Sequence, residues 1–393
     1  MSFAPLAGVR VVDVTSSLAG PTCTEILGGL GADVVKVEHP GRGDEARAWG
    51  PPFFDGGSVM FFAANRSKRS LALDFKDEGG REALLQLVDS ADVFVQSLRE
   101  GAATRLGLGS DALRGRNERL VYCSIRAFGR NGPLAQEPGY DPLMQAFAGL
   151  MSITGEPDRP GVRVGASVID IGTGVWAALG IIAALLERVT TGRGRDVGVA
   201  LYDTALSLVG YQLTAVLKTG VVPGRHGTAF PLIVPYEVFR TSDGELMIAA
   251  ANDRLFRALC ERIGRPDLAA DPRFLTNPDR LVNREELLPE IRAELERATS
   301  AEWLARLAGI PVAPVQDLAM AGAHPQTRAN GMLEQVDGVE AVASPLQVDD
   351  LRLEHRLRPP LLGAHSVEVL RELGYDDAAI GALVRRGIVG SPA

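Results

Sequence analysis

The sequence predicts an α/β fold: a Rossmann-like large domain joined to a smaller α+β domain. Three observations carry that expectation. Short β-rich runs alternate with helical periods through the first third of the chain, the pattern of parallel strands joined by crossover helices. Near Pro223 the texture changes to strands separated by turns and followed by amphipathic helices, and 393 residues are more than one hydrophobic core comfortably serves. The expected division is residues 1–220 for the large domain, 221–325 for the small one and 326–393 for a C-terminal segment that returns to the large domain.

In chain order, β-branched residues fill 9–15 and 33–38, with the helical period of 22–30 between them. Residues 70–74 open the next unit, a helix is expected over 78–90, and strands over 92–98 and 120–125 continue the alternation. From 141 to about 217 long apolar helical segments dominate, interrupted by a turn at 190–194 and a strand near 197–201. Strands at 236–241 and 245–251 and helices at 253–263 and 283–298 make up the smaller domain. Strand alternation returns over 331–350, and 366–386 reads as two short helices split by Gly374. The apolar run 171–186 is shorter than a membrane-spanning helix needs, so it is read as a buried core helix and no membrane is expected.

Composition narrows the range of partners. With 46% hydrophobic and 23% charged residues the chain is an ordinary globular protein, and a formal charge of -8 opposes general attraction to nucleic acid or to an anionic membrane. Cys23, Cys123 and Cys260 lie far apart without metal-ligand spacing, which points to reduced, buried thiols in a cytoplasmic protein and to no metal. Met1 to Ala7 leads almost directly into the first strand with no basic stretch and apolar run, so export is not expected.

No phosphate-binding P-loop, zinc-protease helix or serine nucleophile elbow is present. Gly28-Gly29-Leu30-Gly31 falls at the end of the first helix rather than between strand and helix, and is read as a helix stop. The turn Thr15-Ser16-Ser17-Leu18-Ala19-Gly20-Pro21 follows the first strand and opens the first helix. It is a Ser/Thr cap ahead of a Pro-initiated helix, a contact for anions and carbonyl oxygens, or both. Asp170 is a carboxylate in the apolar stretch Val168-Ile169-Asp170-Ile171, where burial without a partner is costly. It can cap the helix that follows, or act as a carboxylate nucleophile held ionised by capping, and the local sequence leaves both open. Asp141, with Pro142 behind it, is expected to cap its own helix. The five histidines are scattered without ligand spacing, and the basic residues Arg66, Lys68, Arg69, Lys76, Arg99 and Arg105 are candidates to meet phosphate.

These residues carry a resemblance. Leu6-Ala7-Gly8 through Ala19-Gly20-Pro21, Leu30-Gly31-Ala32-Asp33-Val34-Val35-Lys36-Val37-Glu38, residues 65–73, Gly139-Tyr140-Asp141, Thr191-Gly192-Arg193-Gly194 and Pro360-Leu361-Leu362-Gly363-Ala364-His365 resemble, in order and almost end to end, the family III CoA-transferases. That group includes formyl-CoA transferase and crotonobetainyl-CoA:carnitine CoA-transferase and is related to the α-methylacyl-CoA racemases. The resemblance implies an interlocked homodimer, two subunits threaded through one another. It also implies a CoA-transferase that moves coenzyme A, brought in as an acyl-CoA co-substrate, to a carboxylic acid, with Asp170 as the catalytic aspartate.

In the implied chemistry the Asp170 carboxylate attacks the thioester to give a mixed anhydride and CoA thiolate. The thiolate returns to form an aspartyl-CoA thioester, the donor acid leaves, and an incoming acid runs the sequence backwards. By the same likeness Ser16, Leu18 and Ala19 lie beside the thioester, Trp49 and Tyr140 in the acyl pocket, and His39, Phe75, Lys76 and Arg105 against CoA. The Ser16 to Ala19 turn is the expected source of N–H donors for the tetrahedral intermediates.

The chain departs from formyl-CoA transferase at Leu18, where that enzyme has glutamine, in lacking its glycine-rich segment before 245–251, and at Ser97-Leu98, which replaces a more usual Asn-Phe pair. Leu18, Trp49 and Phe230 point to an acyl group larger or more apolar than formyl. Tyr140 stands where the racemases carry histidine, which argues against the alternative of an acyl-CoA racemase or epimerase. A third reading, a CoA-binding protein without turnover, would have no use for Asp170.

Overall fold

Period-two alternation in β1 (Arg10–Val14) sends Val11 to one face of a central sheet and Val12 and Val14 to the other, as a strand covered on both sides requires. The computed structural model, which describes residues 3–54 and 57–390, joins to it β2 (Asp33–Glu38), β3 (Lys68–Leu73), β4 (Val93–Gln96), β5 (Val121–Arg126) and β6 (Asp196–Ala200). Their order is β3-β2-β1-β4-β5-β6, every pair parallel, the order of a doubly wound Rossmann-like sheet. Each strand lies close to its expected bounds. A closing strand, Val389–Gly390, adds to β3 antiparallel; two residues carry too short a pattern to announce themselves in sequence.

Helix α1 (Ala19–Gly29) begins ahead of the expected residue 22 and stops where the glycine run predicts, with Gly31 at φ +105, a conformation a side chain would strain. Helix α2 (Asp141–Phe147) and helix α3 (Val168–Thr191) follow β5. On one face of the sheet Cys23 and Leu27 of α1 and Ala177 and Ile181 of α3 pack against Val11, Val34, Val95 and Val121. The other face is covered by Leu84 and Leu87 of the helix Glu78–Asp89 and by Leu370 and Leu383 of the C-terminal helices Ser366–Glu372 and Asp377–Arg385.

The expectation for 171–186 needs correction. α3 has 24 residues, enough by length and composition to cross a membrane, and it is buried on one face only. Ile169, Ala177, Ile181 and Leu185 enter the core, while Ile171, Val175, Trp176, Leu179, Leu186 and Val189 are exposed along the opposite stripe.

The chain divides into two units, the first comprising residues up to Leu150, Val164–Thr219 and the residues from Gln326 onward. The second comprises Met151–Arg163 and Gly220–Pro325. The sequence reading kept 151–163 with the large domain. Backbone contacts move it: Arg225 donates to the carbonyls of Glu156 (3.0 Å) and Pro157 (3.1 Å), and the Gly227 N–H donates to Gly155 (3.0 Å). Residues 1, 2, 55, 56 and 391–393, which the expected domain bounds include, lie outside the described residues.

In the second unit β7 (Tyr236–Arg240), β8 (Glu245–Ala249) and β9 (Val312–Pro314) form an antiparallel sheet in the order β9-β8-β7. Phe239, Ile248, Phe256, Leu259 and Ile291 build its core. Arg280 is wholly buried there, donating to the carbonyls of Val234 (2.7 Å) and Phe274 (3.0 Å) and to Asp253 (2.9 Å) over the Phe256 ring. Removing the guanidinium leaves the two carbonyls dry and unpaired. Arg280→Met is therefore expected to destabilise the protein by about 3 kcal/mol in urea unfolding, and a change under about 1 kcal/mol would contradict this role.

Candidate active site

In a parallel sheet all strands end at one edge, and here the strand order reverses between β1 and β4, the switch point at which sheets of this kind bind ligands. Ser16, Ser17 and Leu18 lie in the first loop and Ser97 begins the second; the Ser16 N–H donates to Ser97 Oγ at 3.2 Å. His39 and Trp49 follow β2, Phe75 and Lys76 follow β3, Arg105 follows β4 and Tyr140 follows β5. The topology thus gathers the substrate residues expected from sequence at the carboxyl edge of the sheet. Trp49 and Tyr140 meet edge to face with ring centroids 6.3 Å apart. His39 Nδ1 accepts from the Gly41 N–H (3.1 Å), Phe75 packs on the sheet core, and Lys76 and Arg105 are exposed. Among the described residues no hydrogen bond or ion pair joins these last four to one another. Phe230 lies in the second unit, against Tyr236.

The start of α1 differs from the expected Ser/Thr cap. Leu18 occupies the N-cap position, and no side chain caps the helix. The hydroxyls that might do so are engaged elsewhere: Thr15 donates to Asp13 (2.6 Å) and Ser17 to Glu45. Two of the four N–H groups assigned to the oxyanion are also taken, Ser16 by Ser97 and Ser17 by Asp44 Oδ1 (3.0 Å). The N–H groups of Leu18, Ala19 and Gly20 meet no acceptor among the described residues although all three positions are buried, and Pro21 has none to offer. The turn therefore offers its donors one step later than expected.

Both aspartates of the sequence argument also change places. Tyr140 is the N-cap of α2 and Asp141 its first residue; the Asp141 side chain leaves its own helix and accepts from the N–H groups of Ile169 (2.7 Å) and Asp170 (3.2 Å) at the start of α3. Gln145 holds the other carboxylate oxygen. Asp170 is thus capped rather than capping. Among the described residues no donor reaches its carboxylate. Burial, and then the charge of Asp141, push the Asp170 carboxyl up to about 7.

One turn beyond Asp170, Gly174 lies against α1: a Cβ there would fall 2.7 Å from the Ala19 carbonyl oxygen and 2.8 Å from Thr22 Cβ. Residues four apart share a helix face, so Asp170 lies on the face of α3 that approaches the start of α1. The helix face that carries this carboxylate of raised basicity thus meets a helix start whose first N–H groups are unclaimed.

Two neighbouring carboxylates escaped the sequence reading. The Tyr140 hydroxyl lies 3.4 Å from both oxygens of Glu45, whose charge raises the phenol above its ordinary value. Asp44 caps the short helix Glu45–Ala48 through the Ala46 N–H (2.9 Å). Gly43-Asp44 ahead of a short polar run was the available signal for this cap. Cys23, Cys123 and Cys260 are buried and unpaired, and among the described residues no group of three His, Cys, Asp or Glu side chains could hold a metal ion.

Comparison with known proteins identifies the family. A model of CoA-transferase family III matches residues 6–366. The acetyl-CoA:oxalate CoA-transferase of Acetobacter aceti is 39% identical over 95% of this chain and 97% of its own length. The succinyl-CoA:glutarate CoA-transferase of Homo sapiens is 35% identical over 98% and 90% respectively. The crystal structure of a CAIB/BAIF family protein from Brucella suis matches at a TM-score of 0.86 and 39% identity, covering 94% of this chain and 99% of that one.

The raised Asp170 pKa fixes the sign of a stability effect. The folded value of about 7 lies above the unfolded one near 3.8, so Asp170 favours folding fully below pH 3.8 and this contribution is lost as pH rises through 7. Asp170→Asn is expected to remove that loss, making the variant more stable than the parent at pH 8 and nearly equal to it at pH 4 in denaturant titrations. Equal stability at both pH values would show that the carboxyl is not perturbed.

Proposed function

The chain belongs to CoA-transferase family III, and from that premise we propose that it moves coenzyme A from an acyl-CoA to a carboxylic acid through a covalent intermediate on Asp170. One observation carries the reading: a carboxylate that no donor among the described residues reaches lies one turn before Gly174, which packs against the start of α1, where the Leu18, Ala19 and Gly20 N–H groups meet no acceptor. An Asp170 oxygen attacks the thioester carbonyl, the C–S bond breaks, and CoA departs as thiolate, leaving a mixed anhydride. The thiolate attacks the aspartyl carbonyl and expels the donor acid, giving an aspartyl-CoA thioester. The acceptor carboxylate then attacks that thioester, and CoA thiolate returns to the acyl carbon of the new anhydride, freeing Asp170. Thioester energy is conserved throughout.

Leu18 and Ala19 N–H groups take the charge of each tetrahedral intermediate. A pKa of about 7 suits the exchange, since the carboxylate is ionised in useful amount at neutral pH yet more basic than an exposed aspartate. Trp49 and Tyr140 flank the acyl group, with Ser16 at the loop beside it. His39, Phe75, Lys76 and Arg105 follow the CoA moiety, the two exposed cations serving its phosphates. Buried Leu18 favours an acyl group larger than formyl.

The exposed apolar stripe on α3 supports the homodimer, interlocked by the family resemblance, and three buried free thiols support a cytoplasmic setting. Light scattering is expected to give twice the chain mass; a monomer at micromolar concentration would sink the dimer.

A panel of acyl-CoAs and free acids tests the chemistry. Trapping with hydroxylamine or borohydride followed by mass spectrometry is expected to mark Asp170, and Asp170→Ala to lower transfer roughly 1,000-fold or more with an unchanged circular dichroism spectrum. Full exchange by the folded alanine variant would overturn the covalent route.

A further inference from the structure

Beneath the loop that follows β1 lie four buried charged side chains, Asp13, Lys36, Asp44 and Lys68. Lys36 Nζ donates to the Thr15 carbonyl (3.0 Å) and stands 2.8 Å from Asp44 Oδ2. Asp44 Oδ1 in turn accepts from the Ser17 N–H (3.0 Å). On the other side Asp13 takes the Thr15 N–H (2.9 Å) and hydroxyl and pairs with Lys68 (3.2 Å), which also donates to the Pro21 carbonyl (2.9 Å) and Asn65 Oδ1 (2.9 Å). Burial opposes the Lys36 charge, but Asp44, Asp13 and Glu38 outweigh it and hold the ammonium above its ordinary value.

Between these anchors Ser17 has φ +71, a left-handed conformation that an ordinary side chain enters only where its surroundings hold it. Buried ion pairs contribute little net stability compared with apolar packing, so stability alone does not account for this one. Its contacts fall on the two peptides that bracket Ser16, and the Ser17 turn decides where the next N–H groups point. A Ser17 with negative φ would leave Asp44 and swing the Leu18 and Ala19 N–H groups away from Asp170.

We propose that Lys36 is a positioning residue of the transfer reaction: through the Thr15 carbonyl and Asp44 it holds Ser17 left-handed, which keeps the Leu18 and Ala19 N–H groups free and directed at Asp170. The inference rests on the transfer reaction proposed above. Lys36 is fully buried behind the loop and reaches no substrate, so its effect falls on the transition state and not on acyl-CoA binding.

Steady-state kinetics of the full-length protein test it. Lys36→Met is expected to lower kcat about 10- to 100-fold with KM for acyl-CoA within about threefold. The paired variant Lys36→Met/Asp44→Asn removes both buried charges together, keeps the fold even where the single change does not, and is expected to show the same kcat-selective loss. At half-buried Ser17, valine is expected to match that loss, whereas glycine, which enters the left-handed region without strain, loses far less. Wild-type kcat in the folded paired variant, a proportional change in kcat and KM, or equal effects of valine and glycine at Ser17 would each overturn the proposal. Failure of the wild-type protein to transfer CoA between any acids would instead overturn the proposed function.

Discussion

Asp141 grips the N–H groups of Ile169 and Asp170 from 28 and 29 residues away in sequence, and the proposed chemistry depends on that contact. A buried helix start needs an acceptor for its first amides. Had the cap come from within α3, Asp170 would be the nearest carboxylate to fold back and supply it, and hydrogen bonding would have stabilised its ionised form. With Asp141 in that position the amides are satisfied and Asp170 is left without a donor. The same carboxylate adds a like charge beside it. One contact therefore closes the helix, frees the Asp170 carboxylate and raises its basicity, and the destabilised ionic form of Asp170 is carried by the packing of α3 against α1 and the sheet.

The second requirement is a set of N–H donors that nothing else uses, and it is met by an unusual helix start. An apolar N-cap, Leu18, and a proline at the third helical position leave α1 with buried amides that find no acceptor among the described residues. Such a helix end is costly unless a ligand completes it. The Rossmann-like order places this end at the point where the strands reverse, which is also where the loops after β1 and β4 separate. Topology chooses the location, and the choice of residues leaves the amides open.

Much of this was legible in the sequence. Strands β1 to β5 are covered on both faces, so their apolar residues stand out, and the turn after β1 and the isolated Asp170 could be singled out from composition alone. The parts that were misread share a physical cause. Asp141 and Asp170 both sit where a cap is expected, and nothing local reveals that a side chain caps another helix instead of its own. Segment 151–163 joins the second unit through carbonyl groups that every residue possesses. Lys36 was a missed signal: in β2 it alternates with apolar residues at inward positions, and a charge there demands a buried partner. Period-two reading could have found it.

Helix α3 connects the chemistry to assembly. Its exposed stripe begins at Ile171, the residue after Asp170, and continues through Val175, Leu179 and Leu186. The proposed mixed anhydride would be vulnerable to water, and the helix start that is buried at Ile169 is exposed on its other side at Ile171. Under the proposed dimer a second copy seated on the stripe would cover apolar surface that is otherwise hydrated and would also close solvent away from Asp170. The length of the helix would then have a reason that a core helix alone lacks: its inner face holds the first unit together, its outer face would recruit the proposed neighbour, and its first turn carries Asp170, the proposed reacting group, where both faces meet.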